Sequence, residues 1–216
     1  MKKLCIFDLD GTLVNSIEDI AFAVNRGLKL MGLPDHPVSA FNLFVGDGMY
    51  KLCERALPED CQERVNELLM LYNDYYINHC CVLTKPYDGI PELLKALKLC
   101  GVRLAVLSNK PHPQTVNVIN NLFGSGVFDY VLGQKPEFPV KPNPEALIHL
   151  IESAGVSLED AVNIGDSNVD IILGRNAGID SIGVSWGFRG RNELLAAGAE
   201  RIADTPSQIY AVLKQM

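Results

Sequence analysis

Basic charge is scarce in this chain: 19 Lys and Arg stand against 26 Asp and Glu among 216 residues, a net charge of −7. Phosphate backbones and anionic membrane surfaces reward clustered Lys and Arg, so this balance argues against nucleic acid or membrane as the main partner. An anionic substrate needs local help from a cation or a few fixed bases. Long apolar runs are missing too, and no segment reaches the roughly 20 residues of a membrane span. The start Met1-Lys2-Lys3 carries the charge of a signal peptide, but only four apolar residues follow before Asp8, too few for its core. Cys5, Cys53, Cys61, Cys80, Cys81 and Cys100 show no CxxC or metal-finger spacing. This argues against a zinc site and favours reduced thiols in a cytoplasmic protein. The vicinal pair Cys80-Cys81 reads as helix-end packing. His36, His79, His112 and His149 lack ligand spacing as well; of these only His112, close behind Lys110, lies near a candidate site. Internal repeats, low-complexity segments and long linkers are absent.

What is present is enough apolar side chain, 48% of residues, to bury one large domain or a core with an insertion. The run Leu4-Cys5-Ile6-Phe7 reads as a buried strand. After Val14 the period changes, and Ile17, Ile20, Ala21, Val24, Leu28 and Met31 fall on one helical stripe. Further helical stretches at 47–57 and 60–79 make 15–84 all-helical. From Lys85 onward strands and helices alternate: a helix at 90–100, a strand Arg103–Leu107, a helix after Pro113, and a short strand Phe128–Leu132. Next come a helix capped by Asn143 with Pro144 at its first position, a strand Ala161–Ile164, a helix Val169–Ala177, and a strand Ile179–Val184. A final helix is opened by the capping box Thr205-Pro206-Ser207-Gln208. Short continuous apolar strands separated by helices predict an α/β fold, a doubly wound parallel sheet covered on both faces. The expected division is a core of 1–14 and 85–216 with a helical cap, 15–84, inserted after the first strand and hanging over the strand ends where such folds bind ligands.

Polar clusters fall at those strand ends. Asp8-Leu9-Asp10-Gly11-Thr12 follows the first strand, and in a strand residues two apart share a face, so both carboxylates point the same way. Gly11-Thr12 is expected to supply a tight turn with free backbone N–H groups. Ser108-Asn109-Lys110, Lys141-Pro142 and Gly165-Asp166-Ser167-Asn168-Val169-Asp170 complete the set. Each has a plainer reading: Ser108 and Asn109 as a helix cap, Lys141 as a surface lysine, Asp166 and Asp170 as acids favoured at a helix start. Their convergence at one sheet edge favours a site.

These residues resemble, in order, the four motifs of the haloacid dehalogenase superfamily of phosphohydrolases. The helical insertion resembles that superfamily's first cap class. Phe44-Val45-Gly46-Asp47-Gly48 with Glu54-Arg55-Ala56-Leu57, and Trp186-Gly187-Phe188-Arg189, are similar to segments of its phosphoglycolate phosphatase branch. The resemblance implies that Asp8 attacks phosphorus and becomes an aspartyl-phosphate, and that Asp10 protonates the leaving oxygen and later activates water. It further implies Mg2+ held by the Asp8 side chain, the backbone carbonyl at Asp10 and Asp166, with Asp170 in or next to the metal shell or orienting Lys141. Ser108, Lys141 and the amides around Gly11 and Thr12 would bind the phosphoryl oxygens, with Asn109 a further candidate. Lys51 and Arg55, behind the Gly46–Gly48 turn, are candidates for a substrate carboxylate, with a solvated helix face as the alternative. The implied substrate is a small phosphorylated metabolite, 2-phosphoglycolate first, and the implied assembly a monomer or homodimer. A phosphosugar mutase, a pyrophosphatase and an inactive phosphate- or metal-binding module remain as alternatives. Two features depart from the pattern: Asn15-Ser16 where Asp-Ser is common, and Gly174, expected to loosen its helix by up to about 1 kcal/mol relative to Ala.

Overall fold

The computed structural model describes all residues, Met1–Met216. Its strands are β1 (Leu4–Phe7), β2 (Val14–Asn15), β3 (Lys85–Pro86), β4 (Arg103–Pro111), β5 (Tyr130–Gln134), β6 (Ala161–Gly165), β7 (Asp180–Val184) and β8 (Ile202–Ala203). Its helices are α1 (Ile17–Leu30), α2 (Phe41–Phe44), α3 (Met49–Ala56), α4 (Val65–His79), α5 (Ile90–Leu99), α6 (His112–Leu122), α7 (Glu145–Ala154), α8 (Asn168–Ala177), α9 (Gly190–Ala196) and α10 (Pro206–Gln215).

Six strands form one parallel sheet in the order β5-β4-β1-β6-β7-β8. Strand β1 explains the two covered faces. All four of its residues are fully buried, and alternate ones enter different cores. Cys5 and Phe7 pack with Leu93 and Leu97 of α5 and Ile209 and Leu213 of α10, whereas Leu4 and Ile6 pack with Leu147 and Ile151 of α7 and Leu173 of α8. A strand apolar on both faces needs a helix layer on each side, and the period of two sends its residues to both.

The all-helical segment leaves the core after β1 and returns before α5. At that point β2 and β3 pair antiparallel, Val14 opposite Pro86 and Asn15 opposite Lys85, bringing the two ends of the segment together. Within it α1 packs on α4. The buried carboxylate of Asp19 ties the entry of α1 to the exit of the segment, accepting the Leu83 and Thr84 amides and the Thr84 hydroxyl at 2.6–3.0 Å.

Several boundaries differ from the sequence reading. Strand β4 does not end at Leu107 but continues through Pro111, so Ser108, Asn109 and Lys110 are buried strand residues and none caps α6, whose N-cap is Pro111. Strand β5 lies two residues later than expected, because Tyr130–Leu132 is the stretch in register with Ala105–Leu107. The Thr205–Gln208 capping box does not form: Gln208 accepts from the Asp204 amide and the Thr205 hydroxyl pairs with Ser207. The box that does form is Ser167-x-x-Asp170 at the start of α8. Gly174 is set by packing, because a Cβ there would stand 1.9 Å from Ser181 Oγ. Cys80 and Cys81 close α4 with their sulfurs 3.7 Å apart, and all six cysteines are free thiols. No helix is long and apolar enough to cross a membrane.

Candidate active site

The C-terminal ends of three neighbouring strands carry the polar residues. Phe7 is in register with Val106 of β4 and with Ile164 of β6, so Asp8, Ser108 and Asp166 emerge from adjacent strands at nearly one level. The turn after Asp8 is closed by its own backbone. Gly11 N donates to Val14 O and Thr12 N to Leu9 O, so these amides are not free for a ligand, contrary to expectation. The free ones come earlier: the Leu9 and Asp10 amides meet no protein acceptor. Gly11 adopts φ +86°, and a Cβ there would lie 2.4 Å from Asp166 Oδ2. Glycine is therefore required both by conformation and by the approach of the carboxylate.

Asp8, Asp166 and Asp170 each present an oxygen within 4.8 Å of the other two. Lys141 Nζ lies 2.9 Å from Asp8 and 2.8 Å from Asp170 and donates to Leu107 O at 3.2 Å. Burial by itself would lower the Lys141 pKa; the charges of Asp170 and Asp8 overcome that and hold it above its ordinary value. Lys141 is thus no surface lysine: its side chain is 4% exposed. Asp8 is raised from 3.8 to about 6, chiefly by burial, with Lys141 pulling it down. Asp166 is raised well above the ordinary range by burial and by the charges of Asp170 and Asp8, although Phe188 N (2.8 Å) and Thr12 Oγ1 (3.2 Å) donate to it. Three clustered carboxylates facing one ammonium leave surplus negative charge, and their hard oxygens suit a divalent cation. Asp170 has a second task as well, since its Oδ2 accepts from the Ser167 hydroxyl at 2.7 Å and the Ser167 amide at 3.2 Å.

The Asp10 carboxylate lies outside this cluster, so the structure does not bring its side chain to the metal position. It accepts two bonds from Lys110 Nζ, at 2.8 and 2.9 Å, and one from the Ser16 hydroxyl at 2.5 Å. Lys110 in turn donates to Tyr76 OH of α4 at 2.8 Å and stands 4.8 Å from the centre of that ring. Burial pushes the Lys110 pKa down, but Asp10 outweighs it and the net shift is upward.

Asn109 joins three segments, donating to Gly46 O (2.9 Å) and Lys141 O (3.2 Å) and accepting from Lys141 N (2.8 Å). Arg189, beyond β7, reaches across to Val45 O (2.8 Å) and Leu43 O (3.3 Å). These bonds hold the end of α2 and the turn after it, residues 43–46, over the strand ends. The cavity beneath is about 50 Å3 and is lined by Asp8, Asp10, Ser108, Asn109 and Lys110 of the core, by Ile20, Met49, Leu52 and Tyr72 of the inserted helices, and by Val45, Gly46 and Gly48 of the turn between α2 and α3. At about 10–15 Å3 per water-sized group, it fits a ligand portion of a few heavy atoms.

Lys51 and Arg55 do not reach this cavity. Lys51 pairs with Glu54 at 2.5 Å on the solvent side, and Arg55 pairs with Asp47 at 2.5 Å and donates to Phe44 O at 2.9 Å, bracing the Gly46–Gly48 turn from outside. His112 is structural: its Nδ1 accepts the Gly133 amide at 3.2 Å, and burial lowers its pKa. The sequence reading places Lys110 in a polar cluster and Trp186 in a resembling segment but assigns neither a role, and it gives none to Tyr76 or Ser16; the Trp186 indole donates to Thr12 O at 3.1 Å. The Lys110 signal was its place directly after Ser108-Asn109, and that of Ser167 was the S-x-x-D spacing of a capping box.

The family model of the haloacid dehalogenase-like hydrolases matches residues 5–184, and the chain belongs to that family. Among its relatives are the phosphoglycolate phosphatases of Aquifex aeolicus, 34% identical over 186 residues (86% of each chain), and of Colwellia psychrerythraea, 31% identical over 221 residues (99% of this chain, 98% of the other). Among solved structures, a candidate phosphoglycolate phosphatase from Lactobacillus delbrueckii subsp. bulgaricus superposes with a TM-score of 0.93 at 34% identity, covering 99% of both chains. A haloacid dehalogenase-like family protein from Streptococcus pneumoniae gives 0.89 at 26% identity, covering 98% of both.

Proposed function

We propose that this hydrolase is a magnesium-dependent phosphatase of small phosphomonoesters, acting through an aspartyl-phosphate on Asp8, with 2-phosphoglycolate as substrate. The observation that carries the reading is the clustering of Asp8 with Asp166 and Asp170 beside Lys141, which bridges Asp8 and Asp170, with Asp10 held apart from that cluster. Asp8, Asp166, Asp170 and the Asp10 carbonyl would hold the Mg2+, which supplies positive charge to the phosphoryl oxygens when bound. Asp8 attacks phosphorus while Lys141, Ser108 and the free Leu9 and Asp10 amides bind the oxygens on which charge builds. Asp10 delivers the proton to the departing oxygen and later takes one from water. Residues 15–84 act as the cap, tied down by Asn109 and Arg189 so that water is kept from the reacting centre. The small cavity favours a two-carbon acid over a sugar, and the names of the curated relatives support the same choice. An intracellular place for the enzyme accords with its free thiols.

The test is phosphate release from 2-phosphoglycolate, hexose phosphates, nucleotides and pyrophosphate, with Mg2+ and with chelator, beside Asp8→Asn. Release that needs Mg2+, favours 2-phosphoglycolate and vanishes in Asp8→Asn is expected. A sugar-biased profile would refute the substrate, and no release from any ester by the folded protein would refute the activity.

A further inference from the structure

Two buried lysines divide the site between them. Lys141 serves Asp8 and Asp170, where the phosphoryl group would sit, whereas Lys110 serves Asp10, the residue that faces the leaving group. Lys110 is also the one cationic side chain lining the cavity. The cap's own candidates, Lys51 and Arg55, are paired elsewhere. What the cap contributes instead is uncharged: the apolar side chains of Ile20, Val45, Met49 and Leu52, the Tyr72 ring with its hydroxyl, and the backbone of Gly46 and Gly48. Neutral donors can meet a neutral polar ligand atom there, but a ligand carboxylate buried under this roof finds a full opposite charge only at Lys110.

We propose that Lys110 is the specificity-determining residue of this enzyme, and that it reads a carboxylate carried by the leaving group. The inference rests on the phosphatase reading above. In the ligand-free arrangement the three donors of Lys110 are spent on both oxygens of Asp10 and on Tyr76 OH. A carboxylate entering the cavity takes over one of the Asp10 contacts; Ser16 still holds Asp10 Oδ1, and Tyr76 still holds the ammonium. Tyr76 therefore fixes Lys110 from the cap while Asp10 fixes it from the core. Esters with neutral leaving groups leave Lys110 on Asp10 and gain nothing from it.

The experiment compares kcat/KM for 2-phosphoglycolate and for the neutral, similarly sized 2-hydroxyethyl phosphate in the unmodified enzyme and in Lys110→Met. The unmodified enzyme is expected to prefer the acid by about 10- to 100-fold, since only the acid gains a charge-assisted bond to Lys110. In Lys110→Met both esters are expected to lose kcat, because Asp10 loses two of its three donors, while the acid alone also loses in KM, so that the ratio falls to within about threefold of one. A merely structural role, or a displaced Asp10, would lower both substrates alike and preserve the ratio; that result overturns the proposal. A ratio near one in the unmodified enzyme overturns it equally, and needs no variant to fold. Failure of the unmodified enzyme to release phosphate from either ester, or from any other, refutes the phosphatase reading itself, which keeps the two failures apart.

Discussion

Asp8→Asn should make the metal-free protein more stable while abolishing its chemistry. Asp8, the proposed nucleophile, lies near Asp166, Asp170 and Asp10 with Lys141 as its nearest cation, and burial lifts its pKa from 3.8 to about 6. A group whose folded pKa lies above its unfolded value costs stability wherever it is ionised, that is, above about pH 6, and costs nothing below about pH 3.8. The penalty at pH 8 is about 3 kcal/mol at 1.36 kcal/mol per pH unit. Because 14% of the side chain is open to solvent, about 2 kcal/mol is the better figure after screening. Asparagine keeps the shape and removes the charge, and Lys141 retains Asp170 and Leu107 O as partners. For a chain of this length about 2 kcal/mol corresponds to a rise in Tm of roughly 4–8 °C. Calorimetry in chelator at pH 8 should show that rise, and the two proteins should converge as pH falls from 6 to 4. Added Mg2+ should narrow the gap at pH 8 by stabilising the unmodified protein more than the variant. A metal-free Asp8→Asn less stable than its parent at pH 8 would refute the reasoning, since it would mean that the Lys141 ion pair outweighs the cost of burying the charge.

The other expectations concern the site's supports. Lys141→Ala leaves Asp8 and Asp170 without their shared cation, and urea unfolding should register a loss of about 3 kcal/mol or more, with phosphate release abolished. Asp19→Ala orphans two amides and a hydroxyl where the inserted segment closes, and should cost about 2–4 kcal/mol by the same method. Arg189→Ala removes the bonds to Leu43 O and Val45 O; steady-state kinetics should show KM raised about tenfold with kcat within threefold, as binding energy spent on closing the cap is lost. Trp186, the single tryptophan, donates to Thr12 O, and Thr12 donates to Asp166. Its fluorescence should therefore change on titration with Mg2+ and stay flat in Asp166→Ala.

The sequence by itself determined whatever depends on neighbours along the chain. A four-residue apolar run followed by Asp8-x-Asp10-Gly11 is a strand ending in two acids, because the period of two and the turn chemistry are local. The rhythm of strands and helices after Lys85 identified a parallel sheet covered on both faces, and the alternation of Leu4, Cys5, Ile6 and Phe7 between two cores follows from it. Residue choice alone did not reveal where side chains with two plausible uses would be spent. Gly11 and Thr12 looked like free amide donors but close their own turn. Lys51 and Arg55 lie on the right segment, yet the rotation of α3 about its axis, fixed by buried Leu52, Cys53 and Ala56, turns them toward solvent. Lys110 reads as the end of a polar cluster with no partner of its own until β4 is seen to run past Leu107 to Pro111, where it lies buried against an aspartate 100 positions away and a tyrosine of the inserted helices. Tyr76 likewise fits a helical packing stripe, and its hydroxyl gains a purpose only when α4 lies over β4. Tertiary structure decided these assignments because the free energy of a buried charge depends on its counter-charge, and the counter-charge of Lys110 comes from a part of the chain that only folding brings near.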